Sequence, residues 1–160
     1  MKLWYSFGFK TLVVAGHSEG SLVGMVACQE LDALGYISLA GVGFSVDKVI
    51  SKQMEAQPEP IKAEMATIFG ELKQGNTVDN VSVELLSLFR PSIQPYFISW
   101  LKYDPAKEIT KLNIPALIIN GTTDIQVGVE NAEKLHEACV KSELVLIDGM
   151  NHVFKEAPAD

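Results

Sequence analysis

The 160-residue chain is short of basic residues, cysteine, histidine and long apolar runs, and each shortage narrows what it can be. With 13 lysines and arginines against 20 acidic residues the net charge is −7, and no Lys/Arg cluster could neutralise successive phosphates. Nucleic acid and anionic membrane surfaces are therefore poor partners. No apolar run approaches the eighteen or so residues of a membrane span, because Lys10 breaks the long candidate near the start. The first residues do not follow a signal peptide's layout of charge, apolar stretch and small-residue cleavage site. The two cysteines, Cys28 and Cys139, fall in separate helical patterns without metal-ligand spacing. They read as buried or half-buried thiols and leave the redox compartment open. No internal repeat or low-complexity segment is present.

What the chain does have is apolar content: 48% of its residues are hydrophobic, enough for one domain that buries roughly two-thirds of its unfolded surface. The rest is organised around Leu12-Val13-Val14-Ala15-Gly16-His17-Ser18-Glu19-Gly20-Ser21-Leu22-Val23-Gly24. A short β-branched run stops at a glycine, and a helical pattern carried by Leu22, Val23, Val26 and Ala27 starts just past a serine. A serine at the tip of such a turn has its hydroxyl pushed clear of the backbone. Gly16 and Gly20 are expected to leave room for a strand-to-helix approach that a Cβ would block. This is the G-x-S-x-G nucleophile elbow.

At these residues the chain resembles the α/β-hydrolase family, and Gly-His-Ser-Glu-Gly-Ser is most similar to the bacterial esterase and serine-aminopeptidase-like branch. The resemblance runs from about Phe9 to Pro158. It implies a partial α/β-hydrolase fold, with a parallel sheet of about four strands, flanking helices and a helical cap insertion. The core would occupy residues 1–45 and 104–160, and the cap residues 46–103.

Taken in order, residues 1–9 are aromatic-rich and would be the tail of a preceding helix by analogy with the family. Thr11 to Ala15 reads as a strand covered on both faces, followed by a helix from Glu19 to Leu34 with Gly35 as its C-cap. Tyr36 to Val42 is the second strand, completing a βαβ unit. Four short helices are expected next, at residues 46–57, from just after Pro58 and Pro60 to residue 73, and at 83–89 and 92–102. Most of the aromatics between Leu88 and Trp100 read as the small core of that helical part, with one or two lining an acyl or aryl pocket. Asp104-Pro105 reads as a turn and Pro115 to Asn120 as the third strand. A helix from Val129 to Val140 and a fourth strand from Leu144 to Ile147 complete the pattern.

A serine hydroxyl needs a base to take its proton and a carboxylate to hold that base in the right tautomer. Of the three histidines, His17 adjoins the serine and cannot easily turn back onto it, while His136 lies within a helix. His152 sits in the loop after the fourth strand and Asp124 in the loop after the third, where open α/β sheets place catalytic groups. The order Ser18, Asp124, His152 is the one this fold requires. In the hydrolases the chain resembles, the Gly-x-x-Asp and Gly-x-x-His loops occupy these places. Asp148, four residues before His152, is the rival acid. Glu19 contributes its backbone N–H as one oxyanion-hole donor.

The resemblance also implies a second oxyanion donor from a loop after an earlier strand. That loop would lie upstream of Met1, so the chain reads as the C-terminal part of a larger hydrolase. Without the earlier strands, the edge of the first strand is left free for self-association. The expected activity is cofactor-independent and metal-free cleavage of a small-molecule carboxylic ester through an acyl-enzyme. A peptidase or amidase with the same triad, and a catalytically silent fragment, are the alternatives.

Overall fold

In the computed structural model, residues 8–157 are described. The aromatic-rich start is therefore outside the described residues up to position 7. The β-branched run forms β1 (Val13–His17), two residues later than its apolar content suggests. Pairing decides this, because β1 aligns in parallel with β2 (Gly35–Leu39) from Val13 opposite Gly35 to His17 opposite Leu39. The strand thus runs through Gly16 up to the turn.

Between them, α1 (Glu19–Cys28) ends six residues earlier than its periodicity predicts. Gln29, Glu30 and Leu31 bond back three residues instead of four, which tightens and ends the helix. Leu34 N donates to Leu12 O at 2.8 Å, so the backbone is already extended there, and Gly35 opens a strand instead of capping a helix. β2 ends at Leu39 because Ala40 adopts φ 45°, turning the chain away from the sheet.

Residues 44–104 form one compact unit, and residues 8–43 with 105–157 form another. The first is all-helical, with α2 (Val46–Gln53), α3 (Glu59–Lys73), α4 (Leu86–Phe89), a 3₁₀ turn at Pro91–Ile93 and α5 (Gln94–Trp100). Its core contains Val46, Met65, Ile68, Phe69, Leu72, Leu85, Phe89 and Phe97, with the Phe69 and Phe89 rings edge to face at 5.0 Å. Phe89 and Phe97 are thus core residues, whereas Tyr96 is 47% exposed. Gln94 is fully buried and satisfied there: Oε1 accepts from Val78 N, and Nε2 donates to Val78 O and Phe89 O, all at 2.7 Å.

The other unit resumes with α6 (Pro105–Thr110), where the sequence suggested only a turn. Proline suits the first helical position, since its missing N–H has no partner to lose there. β3 (Ala116–Gly121), α7 (Val129–Ala138) and β4 (Glu143–Ile147) follow. The four strands are all parallel, in the order β1-β2-β3-β4. A Cβ on Gly24 of α1 would lie 3.1 Å from the Tyr36 ring and 3.3 Å from Val14, so α1 lies on the face that carries Val14, Gly16, Tyr36 and Ser38. α1 touches α6 and α6 touches α7, which continues the layer over β3 and β4. On the opposite face Ile37, Leu39, Leu117, Ile119 and Val145 are only half-buried and Ala15 is exposed. Among the described residues, then, this unit's helices cover one face of β1, not both as its continuous hydrophobicity suggested. No helix of the described residues is long and apolar enough to cross a membrane.

Candidate active site

Three strand ends supply the site. After β1, Ser18 stands at φ 54°, ψ −124°, a left-handed conformation that costs a non-glycine residue on the order of 1–3 kcal/mol. It is held by Ser18 N donating to Leu39 O at 2.9 Å and Ser21 N donating to Ser18 O at 3.0 Å. A Cβ on Gly16 would overlap the Gly20 carbonyl, so only glycine allows the chain to double back this closely. Gly20 is not needed in the same way, since a Cβ there meets nothing within 4 Å. Beneath the turn, Ser21 Oγ lies 2.7 Å from Tyr36 Oη and 2.9 Å from Ser38 Oγ, and Tyr36 Oη donates to Ser21 O at 2.8 Å. Burial pushes the Tyr36 hydroxyl up to about 12, against the opposing pull of the Ser21 and Ser38 hydrogen bonds. Tyr36 is therefore a neutral strut under the first turn of α1.

The β3 loop and the β4 loop are built as a pair. A Cβ on Gly121 would overlap the Met150 carbonyl, and Thr123 N donates to Met150 O at 3.2 Å. Thr122 Oγ1 donates to Asp148 Oδ1 at 3.0 Å and accepts from Gly149 N at 2.9 Å. This brings Asp124 to His152: Asp124 Oδ2 accepts from His152 Nδ1 at 2.8 Å, and both residues are buried, 7% and 8% exposed. Asp124 Oδ1 accepts from Gln126 N and Val127 N, each at 2.9 Å. With Nδ1 as the donor to this carboxylate, a neutral imidazole keeps its lone pair on Nε2.

His152 is carried by a tight turn. Asn151 Oδ1 accepts from Val153 N and Lys155 N, each at 3.1 Å, and Phe154 takes a left-handed φ of 61°. The turn touches the elbow through His17, whose Nε2 donates to His152 O at 2.9 Å. The His17 ring lies 4.7 Å from the His152 ring and 4.8 Å from the Phe154 ring. Ser18 itself makes no hydrogen bond to the His152 ring among the described residues, so the two are linked through the residue next to Ser18. A cavity of about 190 Å³ beside His152 is lined by Thr123, Ile125, Gln126, Asn151 and Val153. Burial pushes the Glu19 carboxyl up at the start of α1. His136 is occupied elsewhere, with Nδ1 at 2.9 Å from Ser142 Oγ. Among the described residues, no group of three His, Cys, Asp or Glu side chains gathers as metal ligands would.

No family model and no curated protein sequence matches the chain. Solved structures do. A bromoperoxidase from Bacillus anthracis is 19% identical with a TM-score of 0.57, over 94% of this chain and 64% of that one. An alpha/beta fold family hydrolase from Bacillus anthracis str. Sterne is 13% identical with a TM-score of 0.58, over the same shares. An esterase from Rhodococcus sp. ECU1013 is 18% identical with a TM-score of 0.50, over 94% of this chain and 62% of that one. The chain has an α/β-hydrolase fold. It spans less than two thirds of the length of these three proteins. Within the α/β-hydrolase fold, Ser18, Asp124 and His152 all stand in loops that follow strands. The strut Ser21-Tyr36-Ser38 went unread in the sequence. Its signal was a polar pair at alternate positions of a buried strand, on the face where the helix packs. The His17 contact had no such signal, since it joins residues 135 apart in sequence.

Proposed function

We propose that this chain carries the nucleophile elbow and triad of a serine hydrolase that cleaves a carboxylic ester through an acyl-enzyme. Ser18 Oγ attacks the ester carbonyl carbon as its proton passes to His152 Nε2. The oxyanion that forms is met by the Glu19 N–H, one of the first-turn amides that an α-helix leaves without an internal partner. Collapse of the tetrahedral intermediate breaks the bond to the alcohol, which leaves with the proton from His152. Water then repeats the sequence on the acyl-Ser18 ester, releasing the acid and restoring the serine. Asp124 keeps the proton on Nδ1 throughout.

The observation that carries this reading is the buried 2.8 Å hydrogen bond between Asp124 and His152, made by a turn that also touches the residue before Ser18. Catalytic hydrogen bonds to the nucleophile often form only once substrate binds, so the reading does not require one between Ser18 and His152 in the free chain. The helical insertion at residues 46–103 falls between the second and third strands in sequence, and we assign substrate selection to it as a cap.

A fluorophosphonate probe tests the reading. It should label the folded chain and fail to label Ser18→Ala; a folded chain that takes no label is the catalytically silent alternative. On a panel of nitrophenyl esters and aminoacyl amides the esters should be cleaved, and cleavage of the amides alone would make it a peptidase or amidase instead.

A further inference from the structure

We infer that His17 is a positioning residue that sets where the His152 imidazole stands relative to Ser18. The inference rests on the proposed triad and adds a fourth side chain to it. Asp124 grips the His152 ring at one atom, Nδ1, which fixes the tautomer but leaves the ring free to swing about that bond. The other bonds of this loop tie it to the β3 loop or within its own turn, and His17 Nε2 adds a tie to the end of β1 by donating to the His152 carbonyl at 2.9 Å. Because His17 and Ser18 share a peptide bond, an anchor on His17 places the base with respect to the nucleophile, which no bond to Asp124 can do.

Two further observations point the same way. The His17 ring contacts both the His152 ring, tilted at 42° and 4.7 Å, and the Phe154 ring, edge-on at 62° and 4.8 Å. Phe154 reaches that position only by adopting a φ of 61°, which an aromatic residue holds at a cost on the order of 1–3 kcal/mol unless its surroundings require it. The surroundings do: Phe154 N donates to Asn151 O at 3.0 Å, and Asn151 N donates to Lys155 O at 2.9 Å. The turn is thus wound so that two of its rings close on one histidine. Displacing a reacting group by about 1 Å can reduce turnover on the order of a hundredfold, so an anchor at this point should be read in kcat.

The experiment compares His17→Gln, whose amide nitrogen can reach where Nε2 stands, with His17→Leu, which keeps the bulk and loses the donor. With nitrophenyl acetate as substrate, His17→Leu should lose roughly ten- to a hundredfold in kcat with KM nearly unchanged, and His17→Gln should recover most of it. In parallel, ¹⁵N-histidine NMR should show the His152 Nδ1 proton in the wild-type chain and in His17→Gln, and broadened by exchange in His17→Leu. The NMR arm needs no turnover, so it reads the inference even if the wild-type chain neither cleaves ester nor takes a fluorophosphonate label. If His17→Leu does not fold, His17→Asn, with a donor too short to reach, takes its place. A sharp Nδ1 signal and wild-type kcat in His17→Leu, or equal losses in the Gln and Leu variants, would overturn the inference and leave the triad standing.

Discussion

Asp124 divides its carboxylate between two tasks, one oxygen on the backbone of its own loop and the other on His152. Asparagine at this position can satisfy the backbone amides with its carbonyl only by turning its NH₂ toward His152. The imidazole must then accept at Nδ1 and carry its proton on Nε2, where it cannot take a proton from serine. Asp124→Asn should therefore lower kcat on the order of 10⁴-fold with little change in KM, measured on a nitrophenyl ester. Asp148→Asn should stay within a few-fold of wild type, because Asp148 binds Thr122 and not the imidazole. Comparable losses in the two variants would contradict the assignment of roles. The places of Ser18, Asp124 and His152 after strands were legible because chain order and strand pattern are properties of sequence. Chain order also favoured Asp124 over Asp148 as the partner of His152, and Asp124 is the carboxylate bonded to it; the close approach of Gly121 to Met150 that brings the two loops together was not legible.

Elements were legible where a local pattern ends on a local signal, and not where a distant partner sets the boundary. α3 kept its predicted limit at Lys73 because Pro58 and Pro60 bracket its start and Gly75 follows its end. α1 stopped early because Leu34 has to be extended to meet Leu12, and no residue near Cys28 announces that. At six residues α6 is too short to show a period, and its proline reads as a breaker when taken alone. It forms because Glu108 and Ile109 are buried against the sheet unit, where Glu108 accepts from Gln29 Nε2 at 2.8 Å and from Lys111 Nζ at 2.7 Å and 2.6 Å. Burial alone would raise the Glu108 carboxyl, but the Gln29 and Lys111 hydrogen bonds and the Lys111 charge outweigh it and hold the group below its ordinary value of 4.5. A carboxyl lowered by folding stabilises the folded state above the ordinary value, and that contribution disappears as pH falls through the lowered one. Glu108→Gln should thus lower the Tm at pH 7, with a gap to wild type that narrows as pH falls below the ordinary value of 4.5 and closes once the lowered group is protonated. A gap independent of pH would show that packing, not charge, is what the variant loses.

At the scale of the whole molecule, the four-stranded sheet of the described residues has two edges, and β1 is one of them. Its outer N–H and C=O groups form a template for a further strand, and no charged residue interrupts Val13–His17. Val13 on this strand is 59% exposed. We expect this edge to take a second copy of the chain, so sedimentation velocity should show association that grows with concentration. A net charge of −7 opposes that encounter, and salt should promote it by screening the repulsion. Val13→Lys separates the two effects, because it moves the net charge from −7 to −6 while placing a lysine on the edge strand. Were overall charge in control, the variant would associate more readily than wild type; with the β1 edge in control it should associate less. A chain that stays monomeric at every concentration, or a Val13→Lys variant that associates as well as wild type, would mean that the β1 edge is not the contact.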